Sequence, residues 1–92
     1  MTNVNYTQMQ HCIDDYMERR GKHEINEMEA NSVLAGEGLM DDDQAQPGRP
    51  LRELLSRLRD SNLLPKNIRQ TLGAWKIHNS RAFQFRQQIF LF

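Results

Sequence analysis

Arg52, Ser56 and Arg59 follow one another at steps of four and three residues. On a helix turning about 100° per residue they fall within about a 60° arc of one flank. Two guanidinium groups and a hydroxyl in that row present fixed N–H and O–H donors. Such donors suit phosphate oxygens and base edges, which is recognition rather than bond making. Arg49 precedes the row, and Lys66, Arg69, Lys76 and Arg81 follow it, with Asn79 as a neutral partner near the last. The same segment carries leucines at 51, 54, 55 and 58. Arginines beside an apolar row also cover it with their stems while the heads stay wet, and Glu53 stands four residues before Arg57, where the two can pair.

Other chemistries find little support. Cys12 is the single cysteine, so neither an intramolecular disulfide nor a zinc knuckle can form; beside Ile13 it reads as a half-buried, inert thiol. His11, His23 and His78 lack the i, i+3 or i, i+4 spacing of local metal motifs. Asp41, Asp42 and Asp43 offer hard oxygen ligands, but the alternating calcium-loop pattern ending in glutamate is missing, and a solvated acidic loop is expected. The sequence pairs no nucleophile with a base and holds no glycine-rich phosphate cradle. A non-enzymatic protein without metal or cofactor is the expectation.

The 92 residues, 38% of them hydrophobic and 26% charged, suit one globular domain with a modest core. Their formal net charge is zero. Residues 1–46 hold three basic side chains against ten acidic ones, a balance of −7, while residues 47–92 hold nine against two, a balance of +7. An anionic partner responds to a local field rather than to the total. Equally, the acidic half can pack against the basic one. Met1 leads into polar residues and the longest apolar run is Ile89, Phe90, Leu91 and Phe92, so no secretory or membrane segment is expected and a reducing, cytoplasmic setting follows.

These side chains need elements to place them. Tyr6, Met9, Ile13, Tyr16 and Met17 form one stripe of a helix over 5–20, capped by Asn5 and stopped by Gly21, with Asp14, Asp15 and Glu18 on its solvated side. A second helix is predicted over 26–36, capped by Asn26 with Glu29 completing the box and Ile25 stapled to Ala30. Gly36 and Gly38 end it, and Leu39 folds back on its last turn. Residues 39–49 form the acidic loop. A third helix follows over 50–60, with Pro50 at its favoured first position. Leu63 and Leu64 then turn inward, and Pro65 keeps Leu64 extended.

A hairpin is predicted over 67–78, turning through Thr71, Leu72, Gly73 and Ala74. Its second strand puts Trp75 and Ile77 on one face and Lys76 and His78 on the other. The tail, residues 81–92, fits a strand through the alternation of Phe83 and Phe85, or a helix through Phe83, Arg86 or Gln87, and Phe90. Aromatic enrichment favours the strand. Ile89, Phe90, Leu91 and Phe92 need a cover: the core, a second copy, or another protein. The fold class expected is a small, mainly helical α+β domain with three helices, a hairpin and an apolar C-terminal strand or helix.

Residues 28–81 resemble the winged helix-turn-helix of phage excisionase-like and MerR-type DNA-binding domains. Glu29, Ala30, Val33 and Leu34 match the first helix of that pattern, and Leu51, Leu54 and Leu55 the second. Leu64 and Pro65 match its "LP" step, and Gly73, Trp75, Ile77 and Ser80 its wing. The long acidic loop replaces a tight turn, and the N-terminal helix and apolar tail have no counterpart. The resemblance implies a DNA-binding accessory or regulatory protein of a phage or other mobile element. It would set Arg49, Arg52 and Ser56 near base edges in a major groove, and Arg59, Lys66, Arg69 and Lys76 on phosphates. Asn79 and Arg81 would then stand at the base of the wing. Six phosphate contacts imply a log–log salt slope near −5, from about −0.9 each. The alternative is a protein–protein module or homodimer that keeps this fold without touching DNA and docks through its apolar tail.

Overall fold

The computed structural model describes residues 5–82, and the expected strand or helix of the tail lies outside them. The elements run α1 (Tyr6–Arg20), β1 (Glu24–Asn26), α2 (Glu27–Gly36), α3 (Arg49–Asp60), β2 (Ile68–Thr71) and β3 (Ala74–His78). The three strands form one antiparallel sheet in the order β1-β3-β2, which makes the protein a small α+β domain.

Caps set the helix ends. Asn5 Oδ1 accepts the Gln8 N–H at 2.9 Å, and Asn26 Oδ1 accepts the Glu29 N–H at 2.8 Å. Each satisfies a donor that the first turn leaves without a partner. Gly21 closes α1 in the left-handed conformation, and the Lys22 N–H reaches Met17 O at 2.9 Å. Leu39 folds back on α2 as expected, its N–H bonding Leu34 O at 2.9 Å.

The core gathers Met9, Ile13 and Met17 from α1, Ala30 and Leu34 from α2, and Leu51, Leu54 and Leu55 from α3. Ile25, Ile68, Trp75 and Ile77 join them from the inner face of the sheet.

Several expectations are corrected. Residues 24–26 pair with β3 as a strand, where none was predicted. Three residues are too few for alternation to show, and only Ile25 faces inward, opposite Ile77. Asn26 therefore ends a strand and caps a helix at once. Helix α3 begins at Arg49, one residue early, leaving Pro50 within the first turn. Glu53 pairs with Arg49 rather than Arg57. Asp14 is buried, not solvated: its carboxylate accepts the Ser80 N–H at 2.9 Å and the Ser80 hydroxyl. Leu63 is 68% exposed instead of packed, because Asn62 takes a positive φ of 59° and turns the next side chain outward. Tyr6, expected in the apolar stripe, is half-exposed at the first turn of α1.

Two further buried amides hold elements together. Asn31 donates to Asp41 O at 2.9 Å and accepts the Leu51 N–H at 2.8 Å, tying the loop and the start of α3 to α2. Asn67 exchanges hydrogen bonds with Gln10 and donates to His78 O at 2.8 Å. The acidic loop is built from its own side chains. Asp42 Oδ1 accepts the Asp43 and Gly48 N–H groups, and Asp43 Oδ1 those of Ala45 and Gln46. Gly48 has a φ of +87°, and a Cβ there would stand 2.9 Å from Met28 Cα. No other residue fits between this loop and the start of α2 without movement.

The hairpin turns through Leu72 at φ 52° and Gly73 at φ 81°, the signature of a type I′ turn. Asn-Gly is the favoured pair there, and a leucine in left-handed geometry is strained. Leu72 is also fully exposed. Leu72→Asn should raise stability by about 0.5–1 kcal/mol, read as a higher urea midpoint by Trp75 fluorescence. An unchanged or lower midpoint would show that the leucine is not strained.

Candidate nucleic-acid interface

The sheet has two unlike faces because β3 alternates, with Trp75 and Ile77 inward and Lys76 outward. Register does the rest. Arg69 lies directly opposite Lys76 across the β2–β3 pair, and Asn26 lies opposite Lys76 on the other side. Lys66 is exposed on the turn that enters β2. Among the described residues, no carboxylate comes within ion-pair distance of Lys66, Arg69 or Lys76. Like charges directly opposite one another destabilise a strand pair. The outer face therefore holds an uncompensated cationic pair, with Lys66 shortly before it in the chain.

The cations of α3 sit differently. Arg49 Nε meets Glu53 at 2.9 Å and its Nη1 lies 3.7 Å from Asp43, and these carboxylates raise the guanidinium pKa further. Arg52 Nε bonds Glu27 of α2 at 3.1 Å. Ser56 is half-buried on the same flank. Arg59 pairs with Asp60 at 3.0 Å, donates to Gln70 of β2 and stacks 5.8 Å above the Trp75 ring. It thus stitches the end of α3 to the hairpin. Of the α3 arginines, Arg57 alone has no acidic partner among the described residues, and it lies on the opposite flank from Arg52 and Arg59.

Past the hairpin, Asn79 Oδ1 caps a new helical turn at residues 80–82 by accepting the Arg81 and Ala82 N–H groups at 2.8 and 3.2 Å. Its amide donates to Glu18 at 3.0 Å. Arg81 binds Glu18 at 3.0 Å and Asp15 at 3.1 Å, and reaches His11 Nδ1 at 2.9 Å. Both residues thus hold the C-terminal segment against α1. The nine predicted positions separate into groups. Lys66, Arg69 and Lys76 have no acidic partner among the described residues. Arg52, Asn79 and Arg81 are engaged by the acidic half. Arg49 and Arg59 are held mainly by Glu53 and Asp60 of the basic half, and Ser56 is half-buried on α3. Sequence reasoning missed the second group's partners, Glu27 and the Asp14, Asp15 and Glu18 row. Opposite charges separated by more than about 20 residues leave no local signal.

Other titratable groups are structural. Asp42 and Asp43 direct their carboxylates to backbone N–H groups of their own loop. Cys12 is half-buried, and burial raises its thiol pKa, which suppresses reactivity. Glu29 accepts from Lys22 at 2.7 Å and from the Tyr16 hydroxyl at 2.6 Å, and these bonds lower its carboxyl pKa. Hydrogen bonds from Asn79 and then Arg81 do the same for Glu18.

A lowered folded pKa means that the unfolded chain takes up the proton first. The stability from these contacts is therefore present above the ordinary glutamate value of 4.5 and is lost as pH falls through the folded values. Glu29→Gln should flatten the fall of the urea midpoint below pH 4.5, and at neutral pH it should cost less than about 1 kcal/mol, as for exposed pairs. An unaltered acid limb would remove Glu29 from this account.

No family model, curated protein or solved structure matches the chain. Among the described residues, no helix is long and apolar enough to cross a membrane.

Proposed function

We propose that the protein is a small DNA-binding accessory or regulatory protein of the winged-helix kind, of the sort carried by phages and mobile elements. Its principal contact is the outer face of the β2–β3 hairpin. The single observation behind this reading is the cross-strand pair Arg69 and Lys76, two cations directly opposite each other with no carboxylate at ion-pair distance among the described residues. A phosphate backbone supplies the missing counter-charge. Lys66, exposed on the turn that enters β2, is a further cation near the pair in the chain, and Arg59 fixes the hairpin against α3 through Gln70 and Trp75.

The contact differs from the one the resemblance implies. Arg49 and Arg52 are held by carboxylates at the start of α3, so groove entry by that end would bring Glu27 and Glu53 toward phosphates. Three phosphate contacts give a log–log salt slope of about −3 rather than −5. Titrating a fluorescent duplex with the protein over a series of salt concentrations measures this slope. A slope of about −3 supports hairpin contact, and one near −5 reinstates the α3 arginines. Absence of binding at the lowest salt would end the reading.

A protein–protein module is the second reading, favoured by the exposed apolar side chains Met28, Leu63 and Leu72 and by the paired arginines of α3. It predicts self-association or a protein partner and no salt-dependent duplex binding. Sedimentation equilibrium beside the duplex titration separates the two.

A further inference from the structure

Leu72 stands fully exposed at the tip of the β2–β3 hairpin and holds a left-handed φ of 52°. A lone exposed leucine needs no explanation, but one fixed where asparagine or glycine belongs does. Its side chain is buried against nothing, so neither the core nor the sheet gains from it. Strained backbone of this kind gathers at positions that act on a ligand.

The tip is otherwise narrow. Thr71, Gly73 and Ala74 flank the leucine and are small and exposed, so it projects alone rather than within an apolar patch. That shape suits a slot better than the broad surface of a protein partner. Arg69 and Lys76 stand behind the tip, about 10 Å down the hairpin by the rise of a strand. A minor groove is about 6 Å wide and about 7.5 Å deep, with phosphates along its rims. With the leucine at the groove floor, the cation pair comes level with those rims. Arg59 braces the hairpin through Gln70 and the Trp75 ring, so α3 backs the tip.

We propose that Leu72 is an apolar wedge acting on duplex DNA, an inference that rests on the hairpin contact proposed above. The side chain enters between two base pairs from the minor groove, partly unstacks them and kinks the duplex by about 20–90°. Pyrimidine–purine steps unstack most readily, so Leu72 selects sites by their deformability, without a hydrogen bond to any base edge. The strained turn is the cost of that contact to the fold.

The full chain tests this on two duplexes of equal length, one with a central TA step and one with a central A-tract. Each carries donor and acceptor dyes at its ends and a fluorescent adenine analogue at its centre. The parent chain should bend the TA duplex, brighten the analogue there, and bind it about tenfold tighter than the A-tract. Leu72→Asn should abolish the bend and the brightening and remove the preference. Its salt slope should stay at about −3, since no charge is lost. Leu72→Met keeps an apolar tip and should keep the bend. The urea midpoint of Leu72→Asn separates loss of the wedge from loss of the fold, and Leu72→Ala serves where that variant does not fold. Binding by the parent chain without a bend or a step preference would overturn the wedge and leave the hairpin contact standing. A bend retained in Leu72→Asn would overturn it too. Failure of the parent chain to bind either duplex at low salt would end both readings.

Discussion

Replacing Arg69 and Lys76 together by glutamate should weaken duplex binding by about a hundredfold or more at moderate salt and bring the salt slope from about −3 toward −1. Two phosphate contacts disappear and two anions take their place, leaving Lys66 alone on that side of the hairpin. The fold should be unaffected, since both side chains are exposed and like charges again face each other. Arg69→Glu alone separates binding from stability. It sets an acid opposite Lys76, which should raise stability by about 0.2–1 kcal/mol while lowering affinity. Anisotropy titrations paired with urea unfolding measure both quantities. Unchanged binding in the double variant would move the interface off the hairpin. Lost folding in it would show that the outer face is structural.

Asn31→Leu should be among the most damaging single substitutions in the described domain, costing about 3 kcal/mol. The leucine keeps the asparagine's branching, so no cavity opens, but its methyls are bulkier than the amide and add some crowding in this fully buried site. What is lost is the amide's double service. The Leu51 N–H and Asp41 C=O, which it satisfies at 2.8 and 2.9 Å, are left without partners. A domain of this size loses about 4–8 °C of thermal midpoint per kcal/mol, so a drop of about 15 °C is expected. Calorimetry checks it. Asp41 belongs to the loop, so that segment should also become the first site of proteolytic cleavage. A midpoint within a few degrees of the parent would mean that the loop carries no share of the stability.

The helices were legible because their signals are local. Asn5, Asn26, Gly21 and Leu39 each act within a turn or two of their own position, and the leucine row of α3 declares its buried face. The hairpin was legible through the Leu72 and Gly73 turn and the alternation of Trp75, Lys76 and Ile77. Strand β1 was not, since its identity comes from pairing with β3, far along the chain, rather than from its own three residues. The same holds for Asp14, expected on the solvated side, and for Asn31 and Asn67, on which no expectation was placed: all three are buried because distant backbone groups meet them. The candidate site divided on this point. Cations with acids supplied by other elements were quenched, as Arg52 is by Glu27, whereas Arg69 and Lys76 stand opposite each other. Residue type marked the seven cations among the nine positions alike, and only tertiary placement told them apart.

The pairing of Ile25 with Ile77, and of Asp14 with Ser80 at a separation of 66 residues, bears on how the polypeptide is made. During synthesis the central strand β3 and the anchor for α1 emerge after the other elements of the described domain. The acidic N-terminal half, made first, must wait without its sheet partner, and α1 and α2 can pair only provisionally. Mature structure then forms in one late, cooperative step once residue 80 has cleared the ribosomal exit.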